Sequence, residues 1–330
     1  GLDAAAVEAW RAGAEAALAG LGPWLAGRAG RLRRLHGDLH LGNIVLWGGR
    51  PAPIDALEFD EALACFDIGY DLAFLLMDLE VRAGRAAANR VLNRFVARDG
   101  DAGLVVGLPL FLSLRAMIRA HVAATKGEAA AGRAGLARAR AWLDPPPGFV
   151  LAVGGLPGVG KSTVARLLAP GLGAAPGALI LRSDEIRKRL HGVAPEVALG
   201  AEAYTPAASE AVFATMATMA GAAMAGAARG HGVIADATFM NPAHRMLLRR
   251  AAGAAPFLGV WLTAPAAALR ARVAARSGDA SDADLAVLER ALAADPGAGD
   301  WLAVEATDTA AAAGAIRAAL ARAGMVRAVG

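Results

Sequence analysis

Residues 149 to 163 read FVLAVGGLPGVGKST: an apolar run, a glycine-rich turn, then Lys-Ser-Thr opening a helical stretch. The spacing Gly155-x-x-x-x-Gly160-Lys161-Ser162 constrains the fold most, because this motif requires a strand before it and a helix after it, and both patterns are present. Four more apolar segments follow, at ALILRSD (178–184), GVIADAT (232–238), FLGVWLTA (257–264) and WLAVEAT (301–307), each leading into a helical stretch. That alternation predicts an α/β fold over residues 149–330: a parallel five-stranded sheet with helices on both faces.

The loop carries its own chemistry. Glycines at 155, 158 and 160 let backbone N–H groups turn inward around a phosphate, and the following helix adds its positive end. Lys161 is placed to reach β- and γ-phosphates, and Ser162, followed by Thr163, to complete a Mg²⁺ shell. Asp236, ending the strand GVIAD, can reach the same ion through water. ATP and Mg²⁺ are therefore the expected ligands. Ala237 stands where ATPase motors place a Glu to activate water, and no Asn-Lys-x-Asp motif follows to read guanine. Hydrolysis and GTP switching are disfavoured.

Transfer to a hydroxyl fits better. LRSDEIRKRL puts Asp184 at the C-terminal end of a strand, the edge where open α/β sheets bind ligands. Arg187 follows one helical turn later on the same face. Such an Asp can take the acceptor's proton while the Arg holds the acceptor's charge. Asn241-Pro242 starts a helix by capping, and Arg245 is expected one turn in, near Asp236 and Thr238. LRARVAARSGDASDAD (269–284) runs Arg272 and Arg276 from a helix into a polar loop, the composition of a lid that brings positive charge to the transferring phosphoryl group.

Together these motifs make residues 149–330 resemble the P-loop kinase group of polynucleotide 5′-hydroxyl kinases, zeta toxins, chloramphenicol phosphotransferase and gluconate kinases. The resemblance implies Asp184 as general base, Arg187 and Arg245 as acceptor contacts and Arg276 as a phosphate clamp. It does not name the acceptor, which is a small molecule or a nucleic-acid end. A nucleotide-binding regulatory module without an acceptor is the alternative.

The first half is of another kind. LDPPPGF (143–149) cannot continue a helix and favours a stiff linker, so the expected division is 1–143, linker 144–148, and 149–330. Segments 3–34, 61–98 and 103–143 read as helices, with short strands around 36–60. HGDLHLGNI (36–44) spaces Asp38 and Asn43 as in a protein-kinase catalytic loop, with Asp55 where a second metal-binding Asp falls. His36 is expected to brace the loop, and His40 has no partner at metal-ligand spacing. The pattern resembles the C-terminal lobe of aminoglycoside phosphotransferases, with Asp38 as base and Asn43 and Asp55 as metal ligands. Beside the P-loop it resembles bifunctional aminoglycoside phosphotransferase/ATP-binding proteins. That family opens with a lobe carrying a Gly-rich flap and a Lys, yet the first Lys here is Lys126. The expectation is an incomplete or vestigial site, in a piece of a longer protein or a scaffold.

Composition narrows the setting. Among 330 residues, 56% are hydrophobic and the net charge is only +4, which suits anionic ligands without arguing for nucleic acid. One cysteine, Cys65, excludes an internal disulfide framework and fits a reducing compartment; it is expected in the core. Asp3, Glu8 and Arg11 argue against a signal peptide at the start. The uncharged stretch 211–228 is poor in Leu, Ile and Phe, and reads as a buried helix rather than a membrane span. A cytoplasmic phosphotransferase is the resulting expectation.

Overall fold

The computed structural model describes residues 2–58, 64–225, 231–275, 280–297 and 299–326. Two compact units divide the chain. One comprises 1–92, 104–146 and 174–176, the other 93–103, 147–173 and 177–330.

The first unit runs α1 (Ala4–Ala26), β1 (Leu32–Arg34), β2 (Ile44–Trp47), β3 (Arg50–Pro53), β4 (Cys65–Asp67), α2 (Ile68–Ala83), the start of α3 (Arg85–Asp99, of which residues from 93 on belong to the second unit), α4 (Leu108–Thr125) and α5 (Ala129–Trp142). The helical segments expected at 61–98 and 103–143 are each broken where Gly84 and Gly127 adopt φ of 85° and 81°, a region open to glycine. Cys65 departs from expectation. It lies on β4, paired antiparallel with Arg34, and its side chain is exposed. Three acidic residues fasten the 36–44 loop and its surroundings. Asp67 caps α2 and pairs with the buried Arg28 at 2.5 Å. Asp71 accepts the backbone N–H of His36 and of Gly37, both at 3.1 Å, and Asp78 accepts that of Leu41 at 3.0 Å. Desolvation pushes the Asp71 carboxyl up despite the nearby Arg115.

The second unit continues with β5 (Phe149–Gly155), α6 (Lys161–Leu168), β6 (Leu179–Arg182), α7 (Ser183–Leu190), α8 (Pro206–Met224), β7 (Gly232–Asp236), α9 (Pro242–Ala252), β8 (Phe257–Thr263), α10 (Ala266–Ala274), α11 (Leu285–Ala293), β9 (Leu302–Glu305) and α12 (Thr309–Arg322). The sheet order is β6-β7-β5-β8-β9, with every pair parallel. Each of the five apolar segments supplies one strand. Strand β5 is central and buried throughout, as expected of a parallel strand covered on both faces. Phe149, Leu151 and Val153 pack with Val164 and Leu168 of α6 and Ile316 and Leu320 of α12. Helix α8 buries Val212, Phe213, Met216 and Met219 within this unit. Among the described residues no helix is long and apolar enough to cross a membrane.

Candidate active site

Parallel register gathers the site at one sheet edge. Val153 of β5 and Arg182 of β6 both pair with Asp236, the last residue of β7. The loop after β5, the start of α7 and the segment after β7 therefore emerge side by side. They line a cavity of about 1190 Å³.

Two glycines show why the phosphate loop needs its sequence. Gly155 has φ 140°, and a Cβ there would lie 2.7 Å from the Leu262 carbonyl oxygen; Gly158 has φ 82°, with its Cβ 2.8 Å from that of Leu269. Side chains would push the loop off the sheet and close the cradle. Gly160 precedes α6, so the first-turn N–H groups of that helix open where Gly158, Gly160, Lys161, Ser162 and Thr163 line the cavity. The Lys161 ammonium donates to the Gly155 and Leu156 carbonyls at 2.9 and 3.1 Å. The Ser162 hydroxyl donates to Asp236 Oδ2 at 2.5 Å. This hydroxyl–carboxylate pair, an all-oxygen donor set beside a phosphate cradle, fits Mg²⁺. No group of three or more His, Cys, Asp or Glu placed to hold a metal occurs among the described residues; a Mg²⁺ site completed by phosphate oxygens does not need one.

Asp184 sits in the first turn of α7, half-buried and facing the same cavity. Burial pushes its carboxyl above the ordinary range. Arg182 and Lys161 pull it down, the Asp236 charge raises it further, and a hydrogen bond from Ser281 lowers it. Arg182 is 5% exposed and places Nε 3.3 Å from Asp236 and Nη1 3.3 Å from Glu185. It is a charge partner that the motif reading did not single out. Its place two residues before Asp184 was visible in the sequence, but its pairing with Asp236 follows from strand register.

The expected acceptor residues separate. Arg187 and Thr238 line the cavity; Arg245 does not. Its guanidinium donates to Phe239 O at 2.8 Å and Pro296 O at 2.6 Å, and its carbon lies 5.1 and 5.4 Å from the ring centroids of Trp261 and Trp301. The neighbouring His244 turns to the cavity instead, stacked on Phe213 at 3.7 Å and 2.7 Å from Glu210. Adjacent helical residues differ by about 100° in direction, so one of the two faces the cavity and the other turns away.

Arg272 lines the cavity while donating to Val159 O, Ala306 O and Thr307 O, the last at 2.6 Å, so it ties the phosphate loop to the segment after β9. Arg276 lies outside the described residues. Beyond it, Asp282 accepts from the buried Lys188 at 2.6 Å, from the Leu199 N–H at 3.1 Å and from the Tyr204 hydroxyl. That fastener joins residues up to 94 positions apart, which is why spacing did not reveal it.

In the first unit, Asn43 donates to the Asp38 carbonyl at 3.0 Å and to its carboxylate at 3.1 Å. His36 braces the loop through Ile54 O at 2.8 Å. Asp55 adopts φ 61°, in the left-handed region that Asp enters more readily than most residues other than glycine.

Comparison with known proteins adds relatives. A family described as an AAA domain matches residues 150–295; the match starts after the first half and does not bear on its phosphotransferase resemblance. Uncharacterized proteins of Mycobacterium tuberculosis and Mycobacterium bovis are 33% identical over 288 residues, 83% of this chain and 56% of theirs. The chain thus spans about half the length of the curated relatives it matches. Among solved structures, a gluconokinase from Sinorhizobium meliloti is 23% identical, covering 54% of this chain and 93% of its own, with a TM-score of 0.36. The Mycobacterium tuberculosis APS kinase in complex with AMPPNP and APS is 19% identical, covering 53% and 98%, with a TM-score of 0.35.

Proposed function

We propose that the second unit is an ATP-dependent phosphotransferase that moves the γ-phosphoryl group to a hydroxyl. The observation that carries this reading is the shared cavity: Asp184, a carboxylate with a raised proton affinity, opens onto the same space as Lys161 and the Ser162–Asp236 pair. Asp184 takes the proton of the acceptor hydroxyl, whose oxygen attacks the γ-phosphorus as the bond to the β–γ bridging oxygen breaks and ADP leaves. Lys161 and the N–H groups at the start of α6 hold the phosphates, with Arg272 fixing the loop that presents them. Mg²⁺, held by Ser162 and through water by Asp236, would supply charge neutralisation on the phosphate oxygens. Arg187 and Thr238 face the acceptor. Arg276 is assigned the clamp on the transferring group.

The acceptor class stays a small molecule or a nucleic-acid end, and a screen decides it. Labelled γ-phosphate is offered with pooled metabolites and with 5′-hydroxyl oligonucleotides, while ADP release is followed. The reading requires at least one acceptor to accelerate ADP release and become labelled. Lys161→Ala should abolish most of that turnover, because Lys161 is the lysine at the phosphate loop. Unchanged nucleotide binding and transfer in that variant would remove the phosphate-loop assignment, and saturable ATP binding with no acceptor from either pool would favour a regulatory module.

A further inference from the structure

Asp282 is the meeting point of three segments. Its carboxylate accepts from the Lys188 ammonium through both oxygens, at 2.7 and 2.6 Å, from the Leu199 N–H at 3.1 Å and from the Tyr204 hydroxyl. Lys188 is 1% exposed and donates to the Val197 carbonyl as well. Burial works against the Asp282 charge, yet Lys188, Tyr204 and the Leu199 N–H hold its carboxyl below the ordinary range. Moving this carboxylate would strand a buried ammonium. Such a pair adds little net stability over apolar packing; what it fixes is position.

The residue beside Asp282 touches the base. Ser281 hydrogen-bonds the Asp184 carboxylate. Asp184 and Lys188 stand one turn apart on one face of α7, with about 5–6 Å between Cβ atoms. Consecutive residues of one segment, Ser281 and Asp282, therefore meet successive turns of one helix. An aspartate carboxylate turns easily about its last torsion, so a hydroxyl bonded to one side decides where the other side points. The remaining groups that face Asp184 act on it through charge: Arg182 from β6, Lys161 from α6, Asp236 from β7 and Tyr204 from the segment before α8. Charge alters the proton affinity of a carboxylate without fixing its rotation.

We propose that Ser281 and the Lys188–Asp282 pair are positioning residues for the base: Asp282, locked to α7 by Lys188, holds the Ser281 hydroxyl on Asp184 and so turns the second carboxylate oxygen toward the acceptor. This deepens the phosphotransferase reading and rests on it for the role of Asp184. Ser281 keeps its proton throughout, and all three residues act through Asp184.

Magnetic-resonance titration of the full chain, labelled with ¹³C at its aspartate carboxyl carbons, tests the proposal without an acceptor; the Asp184 signal is the one missing from Asp184→Asn. Ser281→Ala should move the Asp184 midpoint to higher pH, because a hydrogen bond that favours the carboxylate is lost. Lys188→Met/Asp282→Ala removes the tie without changing net charge and should move the midpoint the same way. The triple variant should move it no further than Ser281→Ala alone, since residues that act through one another are not additive. Ser281→Thr, which keeps a hydroxyl, should recover the parent midpoint. Transfer of labelled γ-phosphate into pooled metabolites is read beside the titration, at a pH above every midpoint. There Ser281→Ala and the paired variant should each lose roughly 10- to 100-fold, the cost of a misplaced catalytic group. Affinity for a non-hydrolysable ATP analogue should stay within about threefold, since the phosphates are held elsewhere. If the paired variant fails to fold by its melting curve, Lys188→Met/Asp282→Asn replaces it, keeping an acceptor for the Leu199 N–H, with the same direction expected. An unmoved midpoint in the folded paired variant, shifts that add in the triple variant, transfer that keeps its rate, or equal loss of nucleotide affinity would each overturn the proposal. A parent that labels nothing in the pool would instead sink the phosphotransfer reading, and the titration then decides the positioning on its own.

Discussion

Asp184 is pulled in two directions. Burial and the Asp236 charge favour its protonated form, while Arg182, Lys161, Ser281 and the start of α7 favour the carboxylate. A base must be ionised to accept a proton, so transfer should rise with pH through the raised pKa of this group and level off above it. The stability linkage has the opposite sign. Between the ordinary aspartate value near about 3.9 and the raised folded-state value, the folded chain holds more protons here than the unfolded one. Its contribution therefore falls as pH rises across that window, and the cost persists above it. Asp184→Asn should accordingly melt at or above the parent at neutral pH, while transfer falls roughly 100-fold or more and ATP still binds. Melting curves beside single-turnover transfer check this. A lower melting temperature with lost ATP binding would make Asp184 a structural or metal-holding residue.

At the scale of elements, α9 separates what sequence pattern can show from what it cannot. Its start at Asn241-Pro242 was legible because capping is local chemistry, with Asn241 Oδ1 accepting the Ala243 N–H at 2.9 Å. The rotation of the helix was not, since it depends on packing against elements remote in sequence, chiefly α8 and β5, and so His244 rather than Arg245 meets the cavity. Strands β5, β6 and β7 were legible because they are buried throughout, and strands covered on both faces are continuous apolar runs; β8 and β9 kept apolar runs although they are only partly buried. The phosphate loop was legible because close backbone approach admits only glycine at 155 and 158. Arg182 and the Lys188–Asp282 fastener escaped because each is defined by a neighbour remote in sequence. Cys65 escaped because a three-residue strand carries too little pattern to oppose the helical run after it. From its observed place, Arg245→Ala should lower stability by about 1–3 kcal/mol, through two lost carbonyl contacts and the tryptophan faces. Its kcat/KM should stay within about threefold, a small change in barrier. Urea unfolding beside steady-state kinetics decides; unchanged stability with a large rise in acceptor KM would return Arg245 to the acceptor.

Across the whole molecule, two loops with the residue spacing of kinase loops share one chain, and only the second is expected to work in these 330 residues. The loop of the first unit is well formed: Asp71 and Asp78 hold its backbone, and Asn43 holds Asp38. What its chemistry needs besides is a group that fixes the nucleotide opposite Asp38. Phosphoryl transfer depends mostly on alignment and charge neutralisation, so a carboxylate without them contributes little. Residues 1–143 contain a single lysine, Lys126, which is exposed at the end of α4. Asp38→Ala should therefore leave ATP consumption and phosphotransfer within about twofold of the parent. Its cost to stability should be modest, about 1 kcal/mol, because Asn43 keeps its bond to the backbone carbonyl of residue 38. A melting curve establishes that the variant is folded before its activity is measured. If the folded protein then loses phosphotransfer, Asp38 is the working base, the first unit is the kinase, and the assignment of the active site to Asp184 is wrong.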